Sequence, residues 1–373
     1  MSWSNEADEG MARMNRGPSP VFRVIDTGIR DGRRQIAFDQ AMIDAHQAGS
    51  IGDTIRFLRF PPTALVGRHQ SLEREVRVEH CRANGIGLAR RITGGGAIYF
   101  DPGQLGWCLV FHRSTLGIAS LEELARRICE AAAAGLRRLG VEARYRPRND
   151  IEVDGRKLGG TGGFFDGDTL FYQGTVLVDL DPRAMLAALK VPEDKLARHG
   201  LDSAAGRVVT LKALLGSAPP MAAVQEALLA GFAEGLAIAP VAGTITAEEE
   251  ALALRLHDEE VGTEAFVAGP ADPAATEGLG GASAATPGGT ITVHVRLEGT
   301  PPNRIREALV TGDFFVTPPR TILDLESALR GATLEEAGET VERFFARAGV
   351  SVLSAAPGDF RRTLEAAIAA ARG

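Results

Sequence analysis

Three consecutive glycines separate two short strand-like runs in the sequence Arg-Arg-Ile-Thr-Gly-Gly-Gly-Ala-Ile-Tyr-Phe-Asp, residues 90–101. Glycine adopts backbone conformations that other residues avoid, and it allows a ligand to approach the main chain closely. The N–H groups of such a turn form a concave site for anions, and Arg90 and Arg91 place positive charge beside it. The segment therefore predicts a turn that binds a phosphate or a carboxylate, although a tight hairpin turn with solvated arginines fits the same residues.

Length and composition restrict the class of protein. A chain of 373 residues with 45% hydrophobic residues can bury a sizeable core, and its length suggests two domains. The net charge of −7 argues against a general nucleic-acid binder, which would normally be basic. We therefore expect a cytoplasmic protein without a nucleic-acid partner.

Cysteine spacing and apolar runs exclude further classes. Cys81, Cys108 and Cys129 have neither a paired nor a metal-like spacing, so neither a disulfide framework nor a zinc site is indicated. Residues 1–20 lack the positive-then-apolar pattern of a signal peptide, and we expect them to form a disordered leader. No apolar run approaches the roughly 18 residues that a membrane-spanning helix needs, so no membrane partner is expected.

Apolar periodicity divides the first part of the chain into strands and helices. The clearest helix is at residues 121–139, where apolar side chains recur at helical spacing and indicate one buried face. The same criterion predicts helices at residues 35–47, 221–236 and 247–256. Alternating or continuous apolar runs predict strands at residues 21–26, 54–60, 65–70, 86–92, 97–100 and 104–111.

A second glycine-rich segment occupies residues 149–163. Asp154-Gly155 between two strand-like runs predicts a β-hairpin, whose returning strand leads Lys157 into a stretch with four glycines in five residues. A lysine side chain is a mobile cation that readily contacts phosphate. Another hairpin is predicted at residues 166–168. Successive hairpins followed by helices favour an antiparallel sheet with helices packed on it, which is an α+β fold.

The composition changes after about residue 267. Residues 268–289 are rich in alanine, glycine, proline, serine and threonine without a periodic face, and we interpret them as a flexible linker. Beyond them, the pattern predicts a small second α+β domain over residues 290–373. Its expected elements are a strand at 290–297, a short helix at 302–310, a strand at 313–316 and helices at 322–329 and 334–346.

Two glycine-rich turns with attached cations are suited to binding a nucleotide together with an acid. The reaction that this suggests is activation of a carboxylate at the α-phosphorus of ATP, in which fixed cations stabilise the developing charge. Mg²⁺ usually accompanies nucleotide phosphates. Asp150 is a candidate ligand for the metal or for a ligand hydroxyl, and it could equally be an ordinary carboxylate at the start of a strand. No Walker motif is present, which argues against a P-loop NTPase.

The order and spacing of these segments over residues 21–215 resemble the lipoate-protein ligase A family of the biotin/lipoate protein ligase superfamily. Residues 90–97 resemble the family's Arg-Arg-x-Ser/Thr-Gly-Gly-Gly-Ala motif, and residues 149–151 with 157–160 are similar to its Asn-Asp and Lys-x-x-Gly motifs. Residues 67–70 match a shorter signature. The resemblance implies a mixed β-sheet flanked by helices, as in class II aminoacyl-tRNA synthetases and biotin ligases, with residues 21–267 as the catalytic domain.

The resemblance also implies the residues of the site. Lys157 is the implied catalytic residue, in contact with the lipoyl carbonyl and the α-phosphate. The implied lipoyl-adenylate and ATP site consists of Arg91, Gly94, Gly95, Gly96, Ala97, Ile98, Tyr99, Asn149, Asp150, Gly160 and Thr161. A further set matches the family less fully and comprises Arg90, Gly67, Arg68, Gln173, Gly174 and Lys195. Many relatives have histidine where this chain has Gln173.

The implied activity has two steps, with ATP, Mg²⁺ and lipoate as the bound species. Lipoate and ATP would form lipoyl-AMP, and the lipoyl group would then pass to a lysine of an acceptor domain. A 2-oxoacid dehydrogenase E2, a glycine-cleavage H protein or an H-like lipoate-binding protein would serve as acceptor. Octanoate could replace lipoate, because an apolar channel distinguishes acyl chains poorly. Phe60, Val66, Ile98 and Trp107 could line that channel, although packing in the core explains each equally well.

The C-terminal part has a resemblance of its own. Residues 291–370 are similar to the small accessory domain of these ligases, notably through Thr311-Gly312-Asp313-Phe314-Phe315. In some organisms this domain is a separate subunit, whereas here it is fused to the catalytic domain. The resemblance implies that it is needed for adenylation and moves between the two half-reactions, which suits a flexible connection.

Three other functions are compatible with parts of the sequence. An octanoyltransferase needs an exposed, activated cysteine thiolate, but Cys108 lies in mid-strand and Cys129 lies beside the apolar face of a helix. A biotin-protein ligase shares the chemistry but has a different glycine motif. A non-catalytic lipoyl-binding or scaffold relative would have no need of Lys157 and Arg91.

Overall fold

The structure is a computed structural model that describes residues 18–118, 120–147, 149–190, 206–270, 279–347, 350–353 and 355–373. Strands of the N-terminal part occupy Val21–Ile29 (β1), Thr54–Arg59 (β2), Thr63–Val66 (β3), Gly87–Arg90 (β4), Ile98–Phe100 (β5), Gln104–His112 (β6), Arg144–Arg146 (β7), Asp150–Val153 (β8), Arg156–Asp166 (β9), Thr169–Leu177 (β10) and Ala239–Ala242 (β11). Its helices occupy Gly32–Gln47 (α1), Leu72–Glu75 (α2), Val78–Ala83 (α3), Leu121–Arg137 (α4), Pro182–Ala188 (α5), Leu211–Leu215 (α6), Met221–Leu236 (α7), Ala247–Leu256 (α8) and Glu264–Ala268 (α9).

The main sheet has eight strands in the order β11-β1-β2-β6-β10-β9-β8-β7. Strand β1 is parallel to both of its neighbours, β11 and β2, whereas the pairs from β2 to β7 are antiparallel. A mixed sheet flanked by helices is therefore present, and the predicted α+β class is confirmed. A second, three-stranded sheet in the order β4-β3-β5 lies beside it.

Helices cover both faces of the main sheet. On one face, α4 buries Leu124, Ile128 and Leu136 in a core that also contains Trp107. Helices α4 and α7 approach so closely that a side chain on Gly231 would lie 2.3 Å from the Ala131 carbonyl oxygen. On the other face, α1 forms the second core and lies over the strands that carry the candidate site. Within the described ranges, no helix has the length and apolar character needed to cross a bilayer.

The C-terminal part has a hydrophobic core of its own. Its strands are Gly280–Thr286 (β12), Gly289–Glu298 (β13), Arg304–Gly312 (β14), Phe315–Thr317 (β15) and Ser351–Leu353 (β16). Its helices are Thr321–Leu329 (α10), Ala337–Phe345 (α11) and Pro357–Arg372 (α12). Strands β12, β13 and β14 form one sheet, and β15 pairs with β16 in another. These strands and helices form a second compact unit, and its assignment as a separate domain stays a prediction.

Two predictions in this part of the chain are wrong. The helix expected at residues 302–310 is replaced by strand β14, which pairs antiparallel with β13 along its length and buries Ile305 and Val310. Its residues favour a helix locally. Pairing with the neighbouring strand and the alternating burial of its side chains outweigh this preference, so the segment forms a strand. The flexible linker expected at residues 268–289 contains strand β12, which packs on α12 so closely that a Cβ atom on Gly280 would lie 2.4 Å from the Ala367 carbonyl oxygen. Residues 1–17, which make up most of the expected leader, lie outside the described residues, and so do residues 271–278 of the expected linker.

A half-buried carboxyl group links α10 to the C-terminal sheet. Glu326 accepts a hydrogen bond from the Val310 N–H at 2.8 Å. Burial raises the pKa of Glu326 to about 7, and the neighbouring Glu307 acts in the same direction, which together outweigh the effect of that hydrogen bond.

We predict that Glu326 makes stability depend on pH. Its folded-state pKa of about 7 exceeds the ordinary value of 4.5, so its stabilising contribution is complete below pH 4.5 and is lost as the pH rises through 7. Between about pH 5 and pH 8, the free energy of unfolding of the wild type should fall by roughly 1–2 kcal/mol more than that of Glu326→Gln. Urea unfolding of both proteins measures this, and equal pH dependence would contradict it.

Candidate functional site

A cavity of about 280 Å³ lies where the two glycine-rich segments meet. It is bounded by the loop between β4 and β5, by β9 and β10, and by α1. Most of the predicted site residues line it, namely Arg91, Gly94, Gly95, Gly96, Ala97, Ile98, Tyr99, Asn149, Lys157, Gly160, Thr161, Gln173 and Gly174. The two motifs that suggested a shared site are therefore brought together by the fold.

The first glycine-rich loop is not a hairpin turn. Strand β4 runs parallel to β3 and β5 runs antiparallel to it, so the two strands flank β3 without pairing with each other. The loop must therefore cross the end of β3, and Gly95 adopts the left-handed conformation at φ +92°. Glycine accepts this conformation without strain.

Arg91 holds this loop in place. Its guanidinium group donates to the carbonyl oxygens of Gly94, at 2.7 and 3.0 Å, and of Gly96, at 2.8 Å. The side chain is buried, and burial together with the adjacent Arg90 lowers the pKa of Arg91 to about 10. Within the described part of the chain, the Gly96 N–H donates to no acceptor. The loop therefore offers a buried cation and a main-chain donor to an anion.

Lys157 approaches the loop from the second motif. Its main chain is bonded on both sides by residues 207–209, since its N–H donates to Arg207 at 2.8 Å and its carbonyl accepts from Val209 at 2.9 Å. The side chain is about one-third exposed, at 36%. A side chain on Gly160 would lie 2.7 Å from the Lys157 Nζ, so this glycine makes room for the ammonium group.

Asp150 is the partner of that ammonium group. Its carboxylate lies 2.8 Å from the Lys157 Nζ and also pairs with Arg146. Burial by itself would raise the pKa of Asp150, but the two cations outweigh this effect and hold the pKa below its usual value. Among the described residues, no group of three or more His, Cys, Asp or Glu side chains could hold a metal ion. The structure thus places Asp150 as an ion-pair partner of Lys157.

Asn149 and Thr161 join neighbouring strands. The Asn149 amide donates to the Thr161 carbonyl at 2.9 Å, and the Thr161 N–H and hydroxyl both donate to the Asn149 carbonyl. The Thr161 hydroxyl also lies 2.8 Å from the Tyr172 hydroxyl. These bonds fix the strand that carries Lys157 at the cavity wall.

Three residues of the less fully matched set support the site from outside the cavity. The Arg90 guanidinium group donates to carbonyls of Gly67 and Gln70 on one side and of Val267 on the other. A side chain on Gly67 would lie 1.9 Å from the Gly95 carbonyl oxygen. The Arg68 guanidinium group lies 4.5 Å from the centre of the Phe266 ring. These three residues do not line the cavity, and Lys195 lies outside the described residues.

The amide of Gln173 lies at the position for which the sequence resemblance implies a histidine in many relatives. It donates to the Thr93 hydroxyl at 2.7 Å and thereby connects β10 to the first glycine-rich loop. Gly174 beside it has no room for a side chain, because the Trp107 ring lies 2.2 Å from the position of a Cβ atom. Both residues line the cavity.

The apolar lining of the cavity differs in part from the lining predicted for an acyl channel. Phe60, Ile98 and Trp107 line the cavity, whereas Val66 belongs to a separate hydrophobic cluster. The sequence interpretation missed several lining residues, namely Ile36, Asp39, Leu58, Leu65, Thr93, Gly106, Gly162, Thr175, Val208 and Phe315. Two of them had a signal in the sequence. Gly106 is a lone glycine within the apolar run of β6, and Phe315 belongs to the aromatic pair of the Thr-Gly-Asp-Phe-Phe segment.

None of the cysteine side chains is an exposed thiolate. The chain has three cysteines, Cys81, Cys108 and Cys129, and all three are buried. Burial raises the pKa of the Cys81 and Cys108 thiols and raises that of Cys129 to about 11. The thiols are therefore protonated at neutral pH and lie within the core.

Comparison with known proteins identifies the family. The family described as the lipoyl protein ligase A/B catalytic domain matches residues 31–233. The chain belongs to this family. Octanoyltransferase LipM of Kyrpidia tusciae is 31% identical over 260 residues, which are 63% of this chain and 94% of that protein. Lipoate-protein ligase A subunit 1 of Thermoplasma acidophilum is 33% identical over 243 residues, 62% of this chain and 90% of that protein.

Solved structures agree with this family assignment. The bi-partite lipoate protein ligase of Thermoplasma acidophilum has a TM-score of 0.61 at 30% identity and covers 67% of this chain and 97% of its own. A lipoate-protein ligase A bound with ATP has a TM-score of 0.59 at 29% identity, covering 68% and 99%. LipL1 of P. falciparum in complex with lipoate shares the fold, with a TM-score of 0.68 at 16% identity over 94% of this chain and 99% of its own. The chain is thus an enzyme of the lipoate ligase and octanoyltransferase family.

We predict that Arg91→Lys loosens the first glycine-rich loop. A single ammonium group cannot reproduce the planar donors that reach both Gly94 and Gly96, so the free energy of unfolding should fall by about 1–3 kcal/mol. Urea unfolding measures the change. The matched control is Arg126→Lys on the exposed face of α4, which should change stability by less than about 0.5 kcal/mol. An equally small loss of stability in both variants would contradict the conclusion that Arg91 holds the loop in place.

Proposed function

We propose that the protein is an ATP-dependent lipoate-protein ligase that forms lipoyl-AMP and transfers the lipoyl group to a lysine of an acceptor domain. The observation that carries the proposal is the convergence of Lys157, the first glycine-rich loop and an apolar channel on one cavity. Octanoate is an alternative acid, because the channel is lined by apolar side chains. Since ATP is a substrate, we place the reaction in the cytoplasm.

In the first step, an oxygen of the lipoate carboxylate attacks the α-phosphorus of ATP. The bond from the α-phosphorus to the bridging oxygen breaks, and pyrophosphate leaves with that electron pair. Negative charge develops on the α-phosphate oxygens, where Lys157 and the Gly96 N–H offer a cation and a donor. Asp150 pairs with the Lys157 ammonium group at 2.8 Å and so holds it in position beside the loop.

In the second step, the uncharged ε-amino group of the acceptor lysine attacks the carbonyl carbon of lipoyl-AMP. The bond from the carbonyl to the phosphate oxygen breaks, AMP leaves, and the nitrogen loses a proton to solvent. The Thermoplasma relative was solved as part of a lipoylation system with its E2 lipoyl domain. We extend that class of acceptor to this chain, so an E2 domain, a glycine-cleavage H protein or an H-like lipoate-binding protein would supply the lysine.

Mg²⁺ fits this site only as a companion of the nucleotide. The described carboxylates form no metal site by themselves, but Mg²⁺ usually binds through one or two carboxylates together with substrate phosphates. Asp150 is the carboxylate beside Lys157 that could contribute to such a shared site. When bound there, the ion would neutralise charge on the phosphates.

An octanoyltransferase is the alternative within the family, since relatives such as LipM bear that name. Transfer through a cysteine thioester needs a thiolate that the acyl donor can reach. The burial and raised pKa of all three thiols disfavour such a mechanism in this chain.

We predict that Lys157→Ala lowers the rate of lipoate-dependent pyrophosphate release by about 10²–10³-fold, as expected for loss of one preorganised electrostatic group. Lys212→Ala is the matched control, because Lys212 is more than half exposed and pairs with Asp179 at 2.9 Å. The control should retain the wild-type rate. Undiminished adenylate formation by Lys157→Ala would refute the proposed role of this residue.

We predict that the ligase reaction needs no cysteine. Cys81→Ala, Cys108→Ala and Cys129→Ala, made singly, should each keep lipoate-dependent turnover within about threefold of wild type, because small core changes act mainly on stability. Incubation of the wild type with an octanoyl thioester donor should leave no hydroxylamine-sensitive adduct by mass spectrometry. Such an adduct, lost in one cysteine variant, would establish the transferase instead.

A further inference from the structure

One wall of the cavity comes from the C-terminal part of the chain. Phe315 lines the cavity together with Gly95, Gly162 and Lys157. Its strand, β15, pairs with β16 and not with the eight-stranded sheet. The ring is therefore carried into the site by the second hydrophobic core.

Contacts on both sides of Phe315 attach its segment to the N-terminal part. Before it, the Gly312 N–H donates to the His69 carbonyl at 3.0 Å, and the Phe314 carbonyl accepts from the Gly95 N–H at 3.3 Å. The Phe314 ring also stacks on the His69 ring, with centroids 5.3 Å apart and planes at 15°. After it, the Thr317 hydroxyl accepts from the Phe165 N–H at 3.4 Å. The position of the ring is thus determined by bonds along the whole segment.

Two glycines, one from each glycine-rich segment, make room for this ring. A Cβ atom on Gly95 would lie 2.7 Å from the Phe315 Cζ, and a Cβ atom on Gly162 would lie 2.2 Å from its Cε1. For Gly162, the three nearest atoms all belong to Phe315. Real side chains do not tolerate such distances. The aromatic ring therefore requires that residue 162 has no side chain, and at Gly95 it adds to the constraints set by the positive φ and by Arg91.

We propose that Phe315 is a positioning residue, supplied by the C-terminal part of the chain, that closes the cavity over the activated acyl group and excludes water. This rests on the proposed ligase function. In the side reaction, water attacks the carbonyl carbon, the bond to AMP breaks, and the free acid and AMP leave while a proton goes to solvent. An apolar ring held between Gly95 and Gly162 occupies space from which water would otherwise attack.

The first test measures the ratio of excess AMP, released beyond the one AMP that each transfer produces, to the lipoyl-lysine formed. In Phe315→Ala this ratio should rise about fivefold, which corresponds to roughly 1 kcal/mol of lost protection. Phe315→Leu, which restores apolar volume, should bring the ratio most of the way back to the wild-type value. Leu323→Ala, on an exposed part of α10, is the control for general damage to the C-terminal part and should keep the wild-type ratio. An unchanged ratio in Phe315→Ala would overturn the proposal.

A double substitution tests the contact itself. Gly162→Ala places a methyl group where the ring stands, so it should displace Phe315 and raise the same ratio. In the double variant Gly162→Ala with Phe315→Ala the conflict no longer exists, and the ratio should match that of Phe315→Ala alone. If instead the effects of the two substitutions on the ratio multiply, Gly162 acts independently of Phe315, and the proposed contact between them is overturned.

A labelling experiment separates this proposal from the ligase assignment. Phe315→Cys introduces a thiol into a chain whose own cysteines are all buried, so a maleimide should label that position selectively. Lipoate should slow the labelling several-fold if residue 315 borders the acyl cavity, and equal rates with and without lipoate would overturn the proposal. A wild-type protein that releases no pyrophosphate with lipoate and ATP would defeat the ligase assignment, while slowed labelling would still place residue 315 at the acid site.

Discussion

Two adjacent guanidinium groups hold together the segments from which the site is built. Arg90 donates to carbonyls of Gly67, Gln70 and Val267, while Arg91 donates to carbonyls of the first glycine-rich loop. Burial lowers the pKa of each arginine to about 10, so both remain charged at neutral pH. Because their hydrogen-bond partners are neutral carbonyls, positive charge remains beneath the loop, and an anionic ligand is attracted to it.

The arrangement of the main sheet explains why the second glycine-rich segment, with Lys157, faces the positive charge of the two arginines. Lys157 lies on β9, and its ammonium group is directed by Asp150 and by the lack of a side chain at Gly160. The channel beyond it extends under α1, where side chains such as Ile36 and Leu58 are apolar. A charged end next to an apolar channel is complementary to a carboxylate with a hydrocarbon chain, which is the substrate class proposed here.

Prediction from sequence worked best where local pattern and tertiary packing agree. The helices at residues 221–236 and 247–256 have the predicted bounds, since their apolar periodicity is local, and the second also begins with a capping box of Thr246 and Glu249. The segment at residues 302–310 was predicted as a helix but is strand β14, because pairing with β13 overrides its helix propensity. Arg90 matched a ligand motif, but its guanidinium group donates to carbonyls of Gly67, Gln70 and Val267, and it is absent from the cavity lining. A motif shows which residues occur together and not which of them face the cavity.

The sequence by itself determined the residue types of the site, because two glycine-rich turns with attached cations are a property of the local chain. It also determined that the chain has only three cysteines, and therefore how few thiol nucleophiles are available. Only the tertiary structure decided that those thiols are buried, that Arg91 braces the loop, and that Phe315 enters the cavity from a distant part of the chain. The physical reason is that burial and close approach depend on contacts between residues far apart in sequence, which no local pattern records.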